Sequence, residues 1–292
     1  MASLAGMVCA ASSAACFGML AILGKLAYAR GFAPAEILQY RFGLGALLLL
    51  VWFAATNRSV LRARPRTILK AAFLGVVLYP VQSLSFMTAL KYIPASTTSL
   101  ILYFYPVAVT LASSLLFKTR LDSVVAMSLL LLIAGCGLVF YDAFLRDING
   151  TGLALATASM LIFSAYLIVL EWLLKGENPQ SISFYCVLFA AVVYTILSPP
   201  IRFPELDMES KLLTLALGIV PTALAVTLLY RAVELIGSAS ASICSTLEPI
   251  TTVLASALLL GEAVVPVQLA GMALILVGIV LPNAQALRLR RP

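Results

Sequence analysis

Ten apolar stretches, each about as long as a bilayer is thick, take up almost the whole chain. A hydrocarbon core of ~30 Å requires roughly 20 apolar residues per helix. Soluble domains carry about 25% charged residues, whereas this chain carries 11%. The chain is therefore predicted to be an all-α integral membrane protein in contact with the lipid bilayer. The predicted transmembrane helices are 3–28, 35–56, 67–90, 95–117, 122–141, 150–172, 181–201, 211–233, 238–260 and 264–284.

The basic residues are divided unevenly between the two sides of this predicted membrane bundle. If the N-terminus is cytoplasmic, twelve of the nineteen lysines and arginines lie inside, six lie outside and Arg41 lies within a helix. Because cytoplasmic loops are enriched in lysine and arginine, both termini are expected in the cytoplasm. The net charge of +7 comes from these short loops, so no nucleic-acid partner is predicted.

The chain lacks the side chains that most enzymes of a membrane interior use. It contains no histidine, and its five cysteines lie inside apolar runs without a CxxC spacing. A zinc site or a disulfide framework requires clustered or paired cysteines. Acid–base chemistry would need paired carboxylates within the membrane. The sequence therefore predicts no metal site, no cofactor and no enzyme activity.

The two halves of the chain repeat each other. A shift of 143 residues aligns the fourth predicted span with the ninth and gives nine identities in 31 positions between 89 and 119. Each half, 1–145 and 146–292, holds five predicted helices, so the second half would enter the membrane from the opposite side. Such inverted repeats place a binding site near the bilayer midplane. Matched pairs are Ser99 with Ser242, Pro106 with Pro249, Gly75 with Gly218 and, at a shift of 146, Phe17 with Phe163.

Motifs in both halves resemble those of the drug/metabolite transporter superfamily, EamA type. The motifs are Leu-Tyr-Phe-Tyr-Pro-Val ending at Val107, Leu-Glu-Pro-Ile ending at Ile250, the Gly261-Glu262 pair and Arg41 in the second helix. The first copy departs from the pattern, since Lys118-Thr119-Arg120 replaces the Gly-Glu ending. The resemblance implies a ten-helix secondary carrier. Its central cavity would be lined by helices 1–4 and 6–9, and helices 5 and 10 would lie outside.

Aromatic and polar side chains at mid-depth are candidates for substrate contacts. Aromatic rings with a few hydroxyls and amides suit a small amphipathic ligand, and packing between helices is the alternative role for each residue. The predicted substrate-binding residues are Tyr79, Gln82, Thr98, Ser99, Tyr103, Tyr105, Tyr166, Tyr185, Thr222, Ser242, Thr246 and Glu248.

Four residues are singled out for mechanical or electrostatic reasons. Pro106 and Pro249 are candidate hinges, because proline removes a backbone donor and kinks a helix. A static kink is the alternative. Charged groups at the centre of a membrane helix cost about 2.5–3.5 kcal/mol and usually serve function. Glu248 is therefore a candidate for substrate or proton handling, and Arg41 is a candidate ion-pair partner for it.

The leading functional hypothesis is a secondary transporter that exports small organic solutes by alternating access. Amino acids are the favoured small-molecule substrates, with aromatic or large neutral ones preferred because of the aromatic residues. A nucleotide-sugar or organophosphate carrier is one alternative, but it would need several basic cavity residues, and only Arg41 qualifies. A non-transporting receptor or scaffold is the other.

Overall fold

The computed structural model describes residues 4–93, 95–117, 122–141, 149–199, 202–260 and 264–288. Across these residues the chain is helical, and they contain no strand. Two short 3₁₀ turns, Arg58–Leu61 and Phe203–Glu205, lie between longer helices. The helices are α1 (Leu4–Ala29, interrupted at Met19), α2 (Pro34–Thr56), α3 (Pro65–Tyr92), α4 (Ala95–Leu102 and Tyr105–Phe117), α5 (Ser123–Val139), α6 (Gly150–Leu173), α7 (Pro179–Leu197), α8 (Met208–Ser245), α9 (Glu248–Leu260) and α10 (Pro266–Arg288).

The lengths of these helices confirm a multi-pass membrane protein. Seven helical stretches of the described residues are long and apolar enough to cross a bilayer, and α5 and α10 contain shorter apolar segments. The stretch that forms α8 has 38 residues, more than one crossing requires. Its backbone is non-helical at Gly237, where φ is 77°, so the stretch divides there. The all-helical class is confirmed, and the number of ten crossings stays a prediction.

The helices are interrupted at matching positions in the two halves. α4 is broken by a turn at Tyr103 and Phe104, and a turn at Thr246 and Leu247 separates α8 from α9. The two turns lie 143 residues apart, and each ends two residues before a predicted hinge proline. Because proline cannot donate to the carbonyl four residues earlier, the ladder of helical hydrogen bonds lapses at each point.

This interruption corrects the expected position of Glu248. The sequence suggested that Glu248 lies about ten residues into a continuous ninth helix. Instead, Glu248 is the first residue of α9, directly after the turn. The carboxyl group therefore lies at the N-terminus of α9 and not in a helix interior. The dipole of a helix favours negative charge at this end.

Two π-helical turns form a second matched pair. Leu74–Leu78 forms a π turn in α3, and Ile219–Leu224 forms one in α8. Their starting residues lie 145 positions apart, close to the shift that aligns the repeat. A π turn leaves backbone carbonyls without their usual partners and is frequent at functional sites.

Packing between the halves follows the repeat as well. α1 packs against α8 and α9, and its counterpart α6 packs against α3 and α4. α2 packs on α7, while α5 and α10 pack chiefly on each other. α1 of the first half therefore packs against helices of the second half, and α6 of the second half packs against helices of the first.

Ion pairs join the two halves at opposite ends of the bundle. Before the start of α2, Arg30 binds Asp207 (2.9 Å) and Glu209. At the other end, the ammonium group of Lys70 lies 2.8 Å from the carboxylate of Glu177. We call these ends the Arg30 face and the Lys70 face. Hydrogen bonds from Lys70, and then from Thr67, lower the pKa of the Glu177 carboxyl below its usual value.

Candidate functional site

A cavity lies where the two interrupted helices meet α1, α3 and α6. It is a partly enclosed space with walls from both halves of the chain, and small-molecule sites often form between the helices of a bundle. Its described lining residues come from α1, α2, α3, α4, α6, α8 and α9, so α7, which the resemblance had included, contributes none of them. They are Phe17, Leu20, Ala21, Arg41, Tyr79, Gln82, Ser83, Phe86, Ser99, Leu102, Tyr103, Phe163, Tyr166, Leu229, Glu248 and Thr252.

Arg41 is the cation of this cavity wall. Its side chain is 2% exposed and is fixed by three hydrogen bonds to the two halves. Nε donates to Thr222 Oγ1 (3.0 Å), and Nη2 donates to Tyr79 Oη (2.9 Å) and to the carbonyl of Pro221 (3.0 Å). The last acceptor is available because Pro221 lies in the π turn of α8. A guanidinium has five N–H donors, so the two on Nη1 are not used by these three bonds.

Glu248 supplies a carboxyl group to the same cavity. Tyr103 lines the cavity beside this carboxyl group, and Arg41 lies within electrostatic range of it. The described contacts include no direct ion pair between Arg41 and Glu248. The hydroxyl of Thr252 donates a hydrogen bond to the backbone carbonyl of Glu248 (3.0 Å), one helical turn back. The cavity therefore presents a guanidinium and a carboxyl group that form no described ion pair with each other.

Aromatic rings form the apolar part of the wall. Tyr79 and Tyr166 stack with their centroids 5.3 Å apart, and Phe163 stacks on Tyr166 at 5.8 Å. The hydroxyl of Tyr166 donates to that of Tyr230 at 2.7 Å. The bonded hydroxyls of Tyr79 and Tyr166 hold these two rings in place in the cavity wall.

Six of the twelve predicted substrate-binding residues line this cavity, together with Arg41. Two more lie directly behind the wall. Thr222 accepts a hydrogen bond from Arg41, while Tyr105 packs edge-on against Phe163 with centroids 4.9 Å apart. The six lining residues are Tyr79, Gln82, Ser99, Tyr103, Tyr166 and Glu248.

The structure places the remaining four predicted residues outside the lining set. Tyr185 lies at the Lys70 face, where its hydroxyl donates to the carbonyl of Leu61 (2.8 Å). Ser242 and Thr246 donate to carbonyls of their own helix three residues back, which is a common use of buried serine and threonine. Thr98 is fully buried in α4. Pro106 and Pro249 also lie outside the lining set, beside the turns.

Phe17, Phe163 and Thr252 line the cavity but were not predicted to bind substrate. A signal for the first two was present, because Phe17 and Phe163 align in the repeat. Because they occupy equivalent positions of α1 and α6, both could have been predicted to line the site between the two halves. Thr252 carries no such signal in the sequence.

Comparison with known proteins agrees with the repeat. A sequence model described as the EamA-like transporter family matches residues 4–141 and again 150–283. An "Uncharacterized transporter" from Haemophilus influenzae is 27% identical over 162 residues, covering 54% of this chain and 53% of that protein. The "Uncharacterized transporter YwfM" from Bacillus subtilis is 25% identical over 155 residues, covering 53% and 52%. The alignments thus span about half the length of these two curated relatives.

A solved crystal structure shares the fold over nearly the full length. It superposes with a TM-score of 0.80 at 20% sequence identity and covers 98% of this chain and 99% of that one. At this identity the likeness concerns the fold alone. The family assignment rests on the two matches of the sequence model, which together include most of the chain. The chain belongs to the EamA-like transporter family.

Proposed function

We propose that this protein is a secondary transporter of small zwitterionic solutes, with amino acids as the substrate class. One observation carries the proposal: Arg41 and Glu248 face the same cavity without direct contact. An amino acid carries a carboxylate and an ammonium group a few bonds apart. The guanidinium suits the carboxylate, the Glu248 carboxylate suits the ammonium, and the two charges of the ligand cancel within the membrane.

The aromatic wall favours a substrate with a large neutral or aromatic side chain. Three aromatic rings that stack on one another line the cavity beside Arg41 and Glu248. Offset stacking on such rings contributes about 0.5–1.5 kcal/mol beyond the burial of apolar area. A side chain that lies against these rings would therefore be preferred over a small polar one.

The same geometry disfavours the alternative of a nucleotide-sugar or organophosphate carrier. Among the described lining residues, Arg41 is the one cation, whereas phosphate sites gather several. A receptor or scaffold would not require the inverted repeat, and a flux assay separates it from a transporter.

Alternating access is the mechanism we propose, with 1–145 and 146–292 as inverted halves. The paired turns at Tyr103-Phe104 and Thr246-Leu247 support it, because each half contains the same interruption beside the cavity. Exchange of conformations between the halves would open the cavity to either side in turn. Export across a bacterial inner membrane, with cytoplasmic termini, is the direction favoured by the family resemblance. Protons are the coupling ion that Glu248 could handle.

The test is a counterflow assay in proteoliposomes loaded with phenylalanine. Competitors would be phenylethylamine, which lacks the carboxylate, 3-phenylpropionate, which lacks the amine, and glucose 6-phosphate. We expect zwitterionic amino acids to compete strongly and the other three to compete weakly. Equal competition by the sugar phosphate, or no uptake of any amino acid, would contradict the proposal.

A further inference from the structure

Four arginine side chains project from the short connection between α2 and α3. Arg58, Arg62, Arg64 and Arg66 are all exposed. None of them forms a salt bridge with any described residue. The nearby carboxylate of Glu177 already accepts hydrogen bonds from Lys70 and Thr67 (2.8 and 2.6 Å), so it leaves most of the positive charge uncompensated.

The backbone that carries these arginines is fixed to the bundle. Val60 is 0% exposed, and its carbonyl accepts a hydrogen bond from Ser181 (3.0 Å). The next carbonyl, of Leu61, accepts the bond from Tyr185 (2.8 Å). Ser181 and Tyr185 of α7 thus fix the backbone of the connection to the bundle, while its arginine side chains are exposed. We call this segment, 57–66, the arginine corner.

Two exposed tryptophans place the arginine corner at the level of the lipid headgroups. Trp52 lies one turn before the end of α2, and its side chain is 62% exposed. Trp172 is 63% exposed at the end of α6, and Lys70 donates to the neighbouring carbonyl of Leu173, which puts both helix ends on the same face. Exposed tryptophan is enriched where the bilayer meets water.

An apolar strip leads from the arginine corner into the bilayer. Arg66, Leu69 and Phe73 follow at spacings of three and four residues, so they share one face of α3. Leu69 is 73% exposed and Phe73 is 49% exposed. A lipid whose phosphate lies at Arg66 could therefore lay an acyl chain along Leu69 and Phe73.

We propose that the arginine corner is a binding surface for the phosphate headgroups of anionic phospholipids. Orientation of the chain in the membrane requires only that the arginines be present on one side. The fixed backbone and the adjoining apolar strip are features that a headgroup site needs in addition. The proposal concerns the membrane-facing surface and does not depend on the substrate of the cavity.

The experiment compares lipid binding by the purified full chain and by two variants of equal charge change. Arg62→Gln/Arg64→Gln/Arg66→Gln removes three charges and keeps Arg58, whose Nε donates to the Ala54 carbonyl at the end of α2 (3.0 Å). The control removes three exposed charges from the Arg30 face: Lys25→Gln/Lys91→Gln/Arg202→Gln. Each basic residue near an anionic surface contributes about 1 kcal/mol, so three correspond to roughly a 100-fold change in affinity.

Binding would be measured with dioctanoyl phosphatidylglycerol, with dioctanoyl phosphatidylcholine and glycerol 3-phosphate as the other arms. We expect phosphatidylglycerol to bind the native chain and the control, and to bind the triple variant about 100-fold more weakly. On the native chain alone, binding should weaken as salt is added, which tests the proposal even if the variant does not fold. Equal binding to the triple variant, equal binding of phosphatidylcholine, equal binding of glycerol 3-phosphate or salt-independent binding would overturn it.

Discussion

Replacing Arg41 by lysine tests whether the three hydrogen bonds of its guanidinium hold the two halves together at the cavity. Lysine keeps the positive charge, but its single Nζ cannot occupy the positions of both Nε and Nη2, which contact Thr222, Tyr79 and Pro221. Of the three acceptors, at least one should lose its hydrogen-bond donor, and we expect that about two will. Hydrogen bonds between membrane helices contribute about 0.6 kcal/mol on average and at most ~1.7. The expected loss is therefore about 1–3 kcal/mol of unfolding free energy.

The assay is unfolding of detergent-solubilised protein by sodium dodecyl sulfate, followed by circular dichroism. Arg202→Lys is the matched control, because Arg202 is exposed and its contact with the Tyr40 hydroxyl comes from the backbone N–H (3.2 Å). This control should stay within about 0.5 kcal/mol of the native chain, as surface substitutions usually do. If both variants unfold alike, the guanidinium network does not stabilise the junction and the reasoning is wrong.

Three further predictions concern the ends of the bundle and its hinges. A cysteine at position 62 should not react with an impermeant reagent in intact cells, because the Lys70 face is predicted to be cytoplasmic; labelling without lysis would reverse the topology. Alanine at both Pro106 and Pro249 should slow exchange by about fivefold, since a restored helical hydrogen bond of roughly 1 kcal/mol favours one state; unchanged exchange would make the kinks static. Glu177→Gln should lower stability at neutral pH, because the lowered pKa of Glu177 means that the carboxylate stabilises the fold above its unfolded pKa. That difference should vanish as the pH falls through the lowered pKa, and a difference that persists in acid would contradict it.

The helices and the repeat could be predicted because lipid imposes a simple length rule. Apolar stretches of about 20 residues have to be helices, since no water satisfies the backbone there. Pro106 and Pro249 marked the positions of both interruptions, as proline must disturb the hydrogen-bond ladder. The turns themselves could not be predicted, because proline tolerates either a kink or a break. This is why Glu248 was expected inside a helix and lies at the start of one.

The direction of each side chain was much harder to predict than its depth. In a soluble helix the polar face shows which side is outside, but in a membrane both the lipid and the core are apolar. Tyr166 and Tyr185 look alike in the sequence, yet one lines the cavity and the other braces the arginine corner. Arg41 and Glu248 were identifiable because a charge within the membrane is costly. The π turn that supplies an acceptor to Arg41 contains Pro221, but a proline alone does not show which kind of distortion the helix adopts.

The central claim is that Arg41 and Glu248 hold opposite ends of one zwitterionic substrate. The most direct measurement is a binding matrix by isothermal titration, with phenylethylamine and 3-phenylpropionate as half-ligands against Arg41→Gln and Glu248→Gln. We predict that Glu248→Gln weakens the amine and spares or improves the acid, while Arg41→Gln weakens the acid and spares the amine. Losses of the same size for both half-ligands in both variants would contradict the account.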